Sequence, residues 1–319
     1  MTDATDSVAK ENLSGAKVAS AAPFAFLALL GGNAALAAGP LFVRMADVGP
    51  VAAGFWRLTL ALPVLALLAY RSGVVDVVST SRSGNRPHGW GGTGTLAIWA
   101  AVAGLFFAAD LASWHIGILM TKMAHATLFG NAASLILAAA TLVMASRLPS
   151  RSEAAALLLA GFGAAALMRE SGESGDARLV GDLLCLLAGV LYAGYMLIMQ
   201  RVRGTFSAWP ALATATAAGA LPMLLFALAM NEQVMPTDWT PVILLAITSQ
   251  IVGQGLLIYA LPHFSALVVG LTLLTQPAIA ALIGWLRYGE ALTVTELVGG
   301  LMVAAALVLV RLPVTRSRA

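Results

Sequence analysis

The sequence is poor in cysteine, histidine and charge, and each shortage excludes something. One cysteine, Cys185, in 319 residues rules out an internal disulfide and a cysteine metal cluster. It stands in the apolar run LLCLLAGV and reads as a small buried side chain. Of the four histidines, only His115 and His125 are placed to meet, and two ligands are too few for a metal site. His88 and His263 read as loop residues. The motifs HExxH and GxSxG are absent, so an intramembrane enzyme of those kinds has no catalytic set here, and nothing calls for a cofactor. No polar stretch is long enough for a separate water-exposed domain, which argues against a receptor or scaffold. Only 10% of residues are charged, 18 basic against 15 acidic. The basic ones are scattered along the chain rather than gathered in a patch, which excludes nucleic acid as a partner.

What the chain has instead is 60% hydrophobic residues and a mean hydropathy of +0.88, the composition of an integral membrane protein. A bilayer core takes roughly 20 apolar residues per helix. Breaking the chain at its turn residues and charges gives ten spans, at about 24–45, 50–70, 95–119, 123–145, 152–168, 181–200, 208–229, 240–260, 264–286 and 294–311. Joints such as DVGP and TKM are so short that their flanking spans form antiparallel hairpins. Residues 1–21 are polar, lack the basic-then-apolar layout of a cleaved signal and read as a disordered tail; residues 312–319 form a second tail. The Gly-, Ser- and Arg-rich stretch 72–95 reads as a flexible loop. With the amino terminus inside, the inner segments carry twelve Lys and Arg, against five in the outer loops: Arg44, Lys122, Arg169, Arg178 and Arg287. Positive loops stay cytoplasmic, so both termini are expected in the cytoplasm, with the protein in a bacterial inner membrane.

Sliding the chain on itself reveals an internal repeat, a common feature of transporters. An offset of 140 lays SRLPSRSEAAALLLAGFGAAALM (146–168) over LRYGEALTVTELVGGLMVAAALV (286–308), pairs Ala126 with Ala266 and Gly130 with Gly270, and carries Asp110 onto Gln250. An offset of 157 pairs LLGGNAALAAGPLFVR (29–44) with LLAGVLYAGYMLIMQR (186–201). Five spans per half, an odd number, force the second half to enter the membrane in the opposite sense. The expected fold is therefore all-α, ten transmembrane helices in two inverted five-helix repeats, 22–169 and 178–311, around a central cavity. Inverted halves supply two related arrangements, one open to each side of the membrane.

The segments GPVAAGFWRLTLALPVLALLAY (49–70), DLASWHIGILMTKMAHATLFGNAASLILA (110–138) and RYGEALTVTELVGGLMVAAALVL (287–309) resemble the EamA family of the drug/metabolite transporter superfamily. The resemblance implies a cavity lined by helices of both halves, and export of metabolites, amino acids or drugs. One departure is visible: the first half has Pro149 and Ser150 where the second has Gly289 and Glu290.

Ionisable groups in a membrane cost from ~2.5 to more than ~10 kcal/mol at its centre, so they face protein or water and have partners. Arg57 stands seven residues past Pro50, and Asp110 ten before Met120, depths that an arginine can bridge. An Arg57–Asp110 ion pair that positions helices is one expectation. The other is that Asp110 or His115 takes up and releases a proton as access changes. The hairpin around Met120 and Thr121 puts Asp110 level with Asn131 and His115 level with His125. His125 reads as an interfacial residue. Asn33, Trp114, Asn131, Tyr192, Tyr195, Gln250, Gln254 and Gln276 are the candidate cavity residues with His115. Interhelical hydrogen bonding is the alternative for each, and packing is the alternative for the aromatics. Pro277 frees a backbone carbonyl and is a candidate hinge. Gly31, Gly32, Gly130, Gly270, Gly299 and Gly300 are read as sites of close helix contact. The function expected is a secondary active transporter, an exporter of small organic metabolites, amino acids or drugs by alternating access, with proton coupling through Asp110 or His115; the alternatives are an intramembrane enzyme and a facilitative, uncoupled solute carrier. Its partners are a small-molecule substrate and the bilayer, and it is a monomer or homodimer.

Overall fold

The structure, a computed structural model, describes residues 24–83, 93–132, 149–203, 208–260, 272 and 275–309. Both tails and the stretch 84–92 therefore lie outside the described residues, as does Gly270. The described chain is helical: α1 (Phe24–Met45), α2 (Pro50–Ser83), α3 (Thr93–Met120), α4 (Met123–Gly130), α5 (Arg151–Glu173), α6 (Asp176–Arg203), α7 (Ala208–Ala229), α8 (residues 240–260), α9 (Thr275–Tyr288) and α10 (Val294–Leu309). Six of these, α1, α2, α3, α6, α7 and α8, contain stretches long and apolar enough to cross a membrane, and α5 and α10 contain shorter apolar ones. A helix satisfies its own backbone hydrogen bonds, which the bilayer demands. The outer faces are as greasy as the core: Leu27, Leu221, Leu286 and Leu301 are all more than 60% exposed, as lipid contact requires.

The structure departs from the sequence reading at the end of α2 and in the interior of α8. The helix α2 does not end near residue 70 but runs through Ser83, so the first part of the expected loop 72–95 is helical. At about 1.5 Å per residue its 34 residues outreach a hydrocarbon core of about 30 Å. The polar residues after Tyr70 end the membrane-embedded part without ending the helix. The helix α8 is interrupted by a π-helical stretch, Ala246–Gly253.

The helices pack α3 on α6 and α7, α2 on α7, α5 on α10, and α4 on α6 and α9. Small residues set the closest approaches. A Cβ on Gly117 of α3 would lie 2.6 Å from Cys185 Sγ and 2.8 Å from the Gly181 carbonyl on α6. One on Gly299 of α10 would lie 3.0 Å from the Gly163 carbonyl on α5, and one on Gly32 3.2 Å from the Gly253 carbonyl. Gly31 and Gly300 make only ordinary contacts, at 3.8 Å. At the end of the bundle where α1 meets α2, the α7–α8 connection folds over both. Glu232 accepts hydrogen bonds from the N–H groups of Val51 (3.3 Å) and Ala52 (2.8 Å) at the start of α2, placing a carboxylate at the positive end of that helix. Trp56 Nε1 donates to the Val234 carbonyl at 2.7 Å. Asp47 accepts from the Thr237 hydroxyl and from the N–H groups of Thr237 and Asp238.

Candidate functional site

Midway along the bundle a cavity of about 580 Å³, counted with its open mouth, is walled by α1, α2, α3, α4, α6, α8 and α9. The longest wall is one face of α3. Phe107, Asp110, Leu111 and Trp114 line it, and their spacing of three, four and seven is that of a single helix stripe. Thr127, Gly130 and Asn131 supply the wall at α4, and Arg57, Tyr192, Gln254 and Gln276 the remaining polar groups. Seven of the residues singled out in the sequence thus meet here: Arg57, Asp110, Trp114, Asn131, Tyr192, Gln254 and Gln276.

The other candidates stand behind this wall. Arg57 Nε donates to Gln250 Oε1 at 3.1 Å, and Gln250 Nε2 donates to Thr216 Oγ1 at 3.1 Å. One polar chain therefore ties α2 to α8 and α7, and the guanidinium lies 5.9 Å from the Phe107 ring. Gln276 Nε2 donates to Asn33 Oδ1 at 2.6 Å, and Asn131 Nδ2 donates to Gln276 Oε1 at 3.4 Å, so three amides bridge α1, α4 and α9. Tyr195 is stacked on Phe107 with centroids 4.8 Å apart and is 1% exposed. His115 is fully buried, with Nδ1 3.0 Å from the Pro50 carbonyl; the ring nitrogen must donate there, since a carbonyl only accepts. Pro277 falls in the first turn of the described part of α9.

The expected Arg57–Asp110 pair takes a different form. Among the described residues the two make neither a hydrogen bond nor an ion pair. Both line the cavity, and Arg57 is held by Gln250 instead. The cavity therefore presents a guanidinium and a carboxylate to the same space. Trp114 lines the same cavity, and its Nε1 donates to the Ala126 carbonyl at 3.1 Å. Room for the ring comes from Gly39 and Gly130, where a Cβ would lie 3.4 Å and 3.2 Å from the indole.

A second cluster, at the α3–α4 end, was not anticipated. Arg44 pairs with Glu290 at 2.5 Å and donates to the Ile118 carbonyl at 3.0 Å and the Thr121 carbonyl at 2.5 Å. Glu290 also accepts from the Met123 N–H at 2.9 Å. Lys122 pairs with Glu296 at 2.5 Å, and Arg178 pairs with the same carboxylate. His125 lies between Asp182, 3.3 Å from Nδ1, and Glu296, 3.5 Å from Nε2. Thr121 Oγ1 donates to Asp182. His125 is 1% exposed, not interfacial, and it does not touch His115, which bonds to Pro50 instead. Equal depth on a hairpin fixes height but not which way a side chain points. One signal for this cluster was present in the sequence: Thr293-Val-Thr-Glu296 is a capping box, and the structure forms it, with Thr293 N donating to Glu296 at 2.8 Å and Glu296 N to Thr293 Oγ1 at 3.1 Å. The Gly289–Glu290 pair has its own reason. Gly289 takes φ +68°, a left-handed turn that suits glycine, and the turn delivers Glu290 to Arg44.

The comparisons with known proteins bear on the same elements. The model of the EamA-like transporter family matches residues 179–312, which run from α6 through α10. Over this segment the chain is similar to the EamA-like transporter family, and its six long apolar helices are those of a multi-pass membrane protein. A solved crystal structure, one of 14 matching chains, is similar over 91% of this chain and 97% of its own, with a TM-score of 0.58 at 18% identity; the likeness is one of fold. No curated protein matches. Glu290, Glu296, Gln254 and Gln276 all belong to the EamA-like segment, whereas Arg57, Asp110 and Trp114 come from outside it.

Proposed function

We propose that the protein is a secondary active transporter that exports small organic solutes across a bacterial inner membrane by alternating access. The two five-helix units, 22–169 and 178–311, are inverted twins, with both termini cytoplasmic. The observation that carries this reading is the cavity itself: a carboxyl group, a guanidinium, three amides and three aromatic rings are gathered from seven helices, in a chain with an EamA-like segment. Ionisable groups are costly in a membrane, and a purely structural pair would be expected to neutralise itself by contact. Here Arg57 bonds to Gln250, and Asp110 is left facing the space a solute would fill.

On this reading Trp114, Phe107 and Tyr192 hold the apolar body of the solute, and Asn131, Gln254 and Gln276 its polar groups. Asp110 carries the coupling proton, released when the cavity opens to the less acidic side. His115, fixed to Pro50 and fully buried, positions α3 against α2. The test is transport driven by a pH gradient in proteoliposomes, over a panel of amino acids, amines and other small metabolites. Asp110→Asn should abolish the gradient dependence while leaving exchange of the same solute between the two sides. If gradient-driven uptake persists in that variant, Asp110 is not the coupling group, and if no solute on a broad panel shows saturable counterflow, the carrier reading itself falls.

A further inference from the structure

The charged cluster at the α3–α4 end is not part of the cavity. A vestibule above it, about 770 Å³ with its opening, is lined by Arg44, Leu119, Met120, Thr121, Lys122, Arg178, Tyr288 and Glu290, and it has no lining residue in common with the cavity. On the same hairpin Ile118, Met123 and Ala126 are fully buried and line neither space. The ion pairs span the two units: Arg44, Lys122 and His125 belong to the first, and Arg178, Asp182, Glu290 and Glu296 to the second. They therefore clasp the halves together where a path from the cavity to that side would have to open.

We propose that His125 is a proton-binding site distinct from Asp110, and that its protonation closes this clasp. The argument is one of donors and acceptors. Nδ1 faces Asp182 at 3.3 Å and Nε2 faces Glu296 at 3.5 Å, with all three side chains 0–2% exposed. An ionised carboxylate only accepts, and a neutral imidazole has one N–H to donate. A neutral ring would therefore satisfy one carboxylate and turn a lone pair on the other. The imidazolium donates to Asp182 through Nδ1 and turns its second N–H, at ion-pair distance, toward Glu296, and it is the species this geometry fits. Around it stand Asp182 and Arg178 from α6, Glu296 from α10, Glu290 from the turn after α9, and Lys122 from its own hairpin, with Arg44 of α1 reaching the cluster through Glu290. With His125 protonated, one cation bridges α4 to α6 and α10 at once. When the proton passes to water in the vestibule, one of the two bridges is lost and the carboxylates face each other across a neutral ring. The clasp then holds only through its lysine and arginine pairs.

This proposal rests on the alternating-access reading, but its test uses no solute. In a Cys185→Ala background, spin labels at Leu119→Cys and Leu292→Cys, which are 50% and 38% exposed, report the width of this end of the bundle. At about pH 5.5 one short distance should dominate; by about pH 8.5 a longer one should grow by at least about threefold. With His125→Gln added, the long distance should be present to the same extent at both. A pH response unchanged by His125→Gln, or no response in the parent, overturns the proposal. Nitrogen-15 spectra of histidine-labelled protein, with His88 and His263 replaced by Gln, provide a check that leaves the clasp intact. At acidic pH one of the two remaining histidines should carry protons on both nitrogens, and finding both rings neutral there refutes the assignment. Failure of transport with these two results intact would discard the carrier reading and leave the proton clasp standing.

Discussion

The close contact between α3 and α6 makes a quantitative prediction. Gly117 on α3 faces Gly181 and Cys185 on α6, and a Cβ there would stand 2.6 Å from Cys185 Sγ, 2.8 Å from the Gly181 carbonyl oxygen and 3.2 Å from the Cys185 nitrogen. Two of these are backbone atoms and the third belongs to a fully buried side chain, so no rotamer change relieves the overlap. Ordinary carbon contacts lie at about 3.5–4.0 Å, so α3 and α6 would have to move apart by roughly 1 Å. Overpacking of this kind costs about 1–3 kcal/mol, against a gain of about 1 kcal/mol from replacing a helical glycine with alanine. Gly161 on α5 is exposed, and its added Cβ would meet nothing within 4 Å. Gly161→Ala therefore collects the propensity gain alone. Because that gain cancels between the two variants, the difference in stability should be the packing cost, about 1–3 kcal/mol, or about 5- to 150-fold in the unfolding equilibrium. Unfolding followed by circular dichroism during titration of detergent-solubilised protein with a denaturing detergent measures it. If Gly117→Ala and Gly161→Ala unfold together, the α3–α6 contact is not as close as described.

Other consequences are smaller or more local. Arg57→Met should leave the buried Gln250 Oε1 without its donor, costing about 1–3 kcal/mol, and should loosen α8 against α2, read as faster hydrogen exchange over residues 246–253. Thr293→Ala removes half of the capping box at α10 and should cost about 1 kcal/mol, seen in the same unfolding titration. The hydrogen bond from the Thr237 hydroxyl, and those from the Asp238 and Thr237 N–H groups, hold the Asp47 carboxyl below its ordinary value of 3.8. A carboxylate depressed in this way stabilises the fold above its unfolded value, and the contribution disappears as the pH falls through the folded one. Asp47→Ala should therefore loosen the α7–α8 connection at neutral pH, measured by protease susceptibility of residues 230–239. As the pH falls through the folded value and native Asp47 loses its charge, an acid protease should find a progressively smaller difference between variant and parent.

How much of this was legible in the sequence depended on which physical signal recorded it. Hydropathy located α1, α7 and α8 at the residues where the structure has them, because solvation by lipid and burial demand the same side chains. It misplaced the end of α2, since the polar residues after Tyr70 mark where the membrane stops, whereas the helix stops where its hydrogen bonds do. The cavity was largely readable: polar side chains inside apolar spans are costly enough that they had to converge, and seven did. Phe107 and Thr127 were missed because a phenylalanine or threonine in a greasy helix looks like packing, although the spacing of Phe107 to Asp110, Leu111 and Trp114 would have revealed the stripe. The clasp was hidden for a different reason. Its charges sit at span ends, where positive residues are already explained by topology, and equal depth on the hairpin paired His115 with His125 when their actual partners are Pro50 on one helix and Asp182 and Glu296 on two others.

The π-helical stretch in α8 has a mechanical meaning for the polar chain it carries. A π turn closes its hydrogen bonds from i to i+5, one residue more than an α turn, and so stores a residue that the helix can release. Gln250 lies inside the stretch and is anchored to Arg57 and Thr216, while Gln254 just beyond it lines the cavity. Were the stretch to relax to α geometry with Gln250 still anchored, everything beyond it would rotate by about one residue's turn, roughly 100°. Gln254 and Leu257 would be carried away from the cavity wall. The helix would thus behave as a ratchet with two registers, in which the wall facing a solute is changed by screw motion about a fixed pin, with no need for the helix as a whole to tilt.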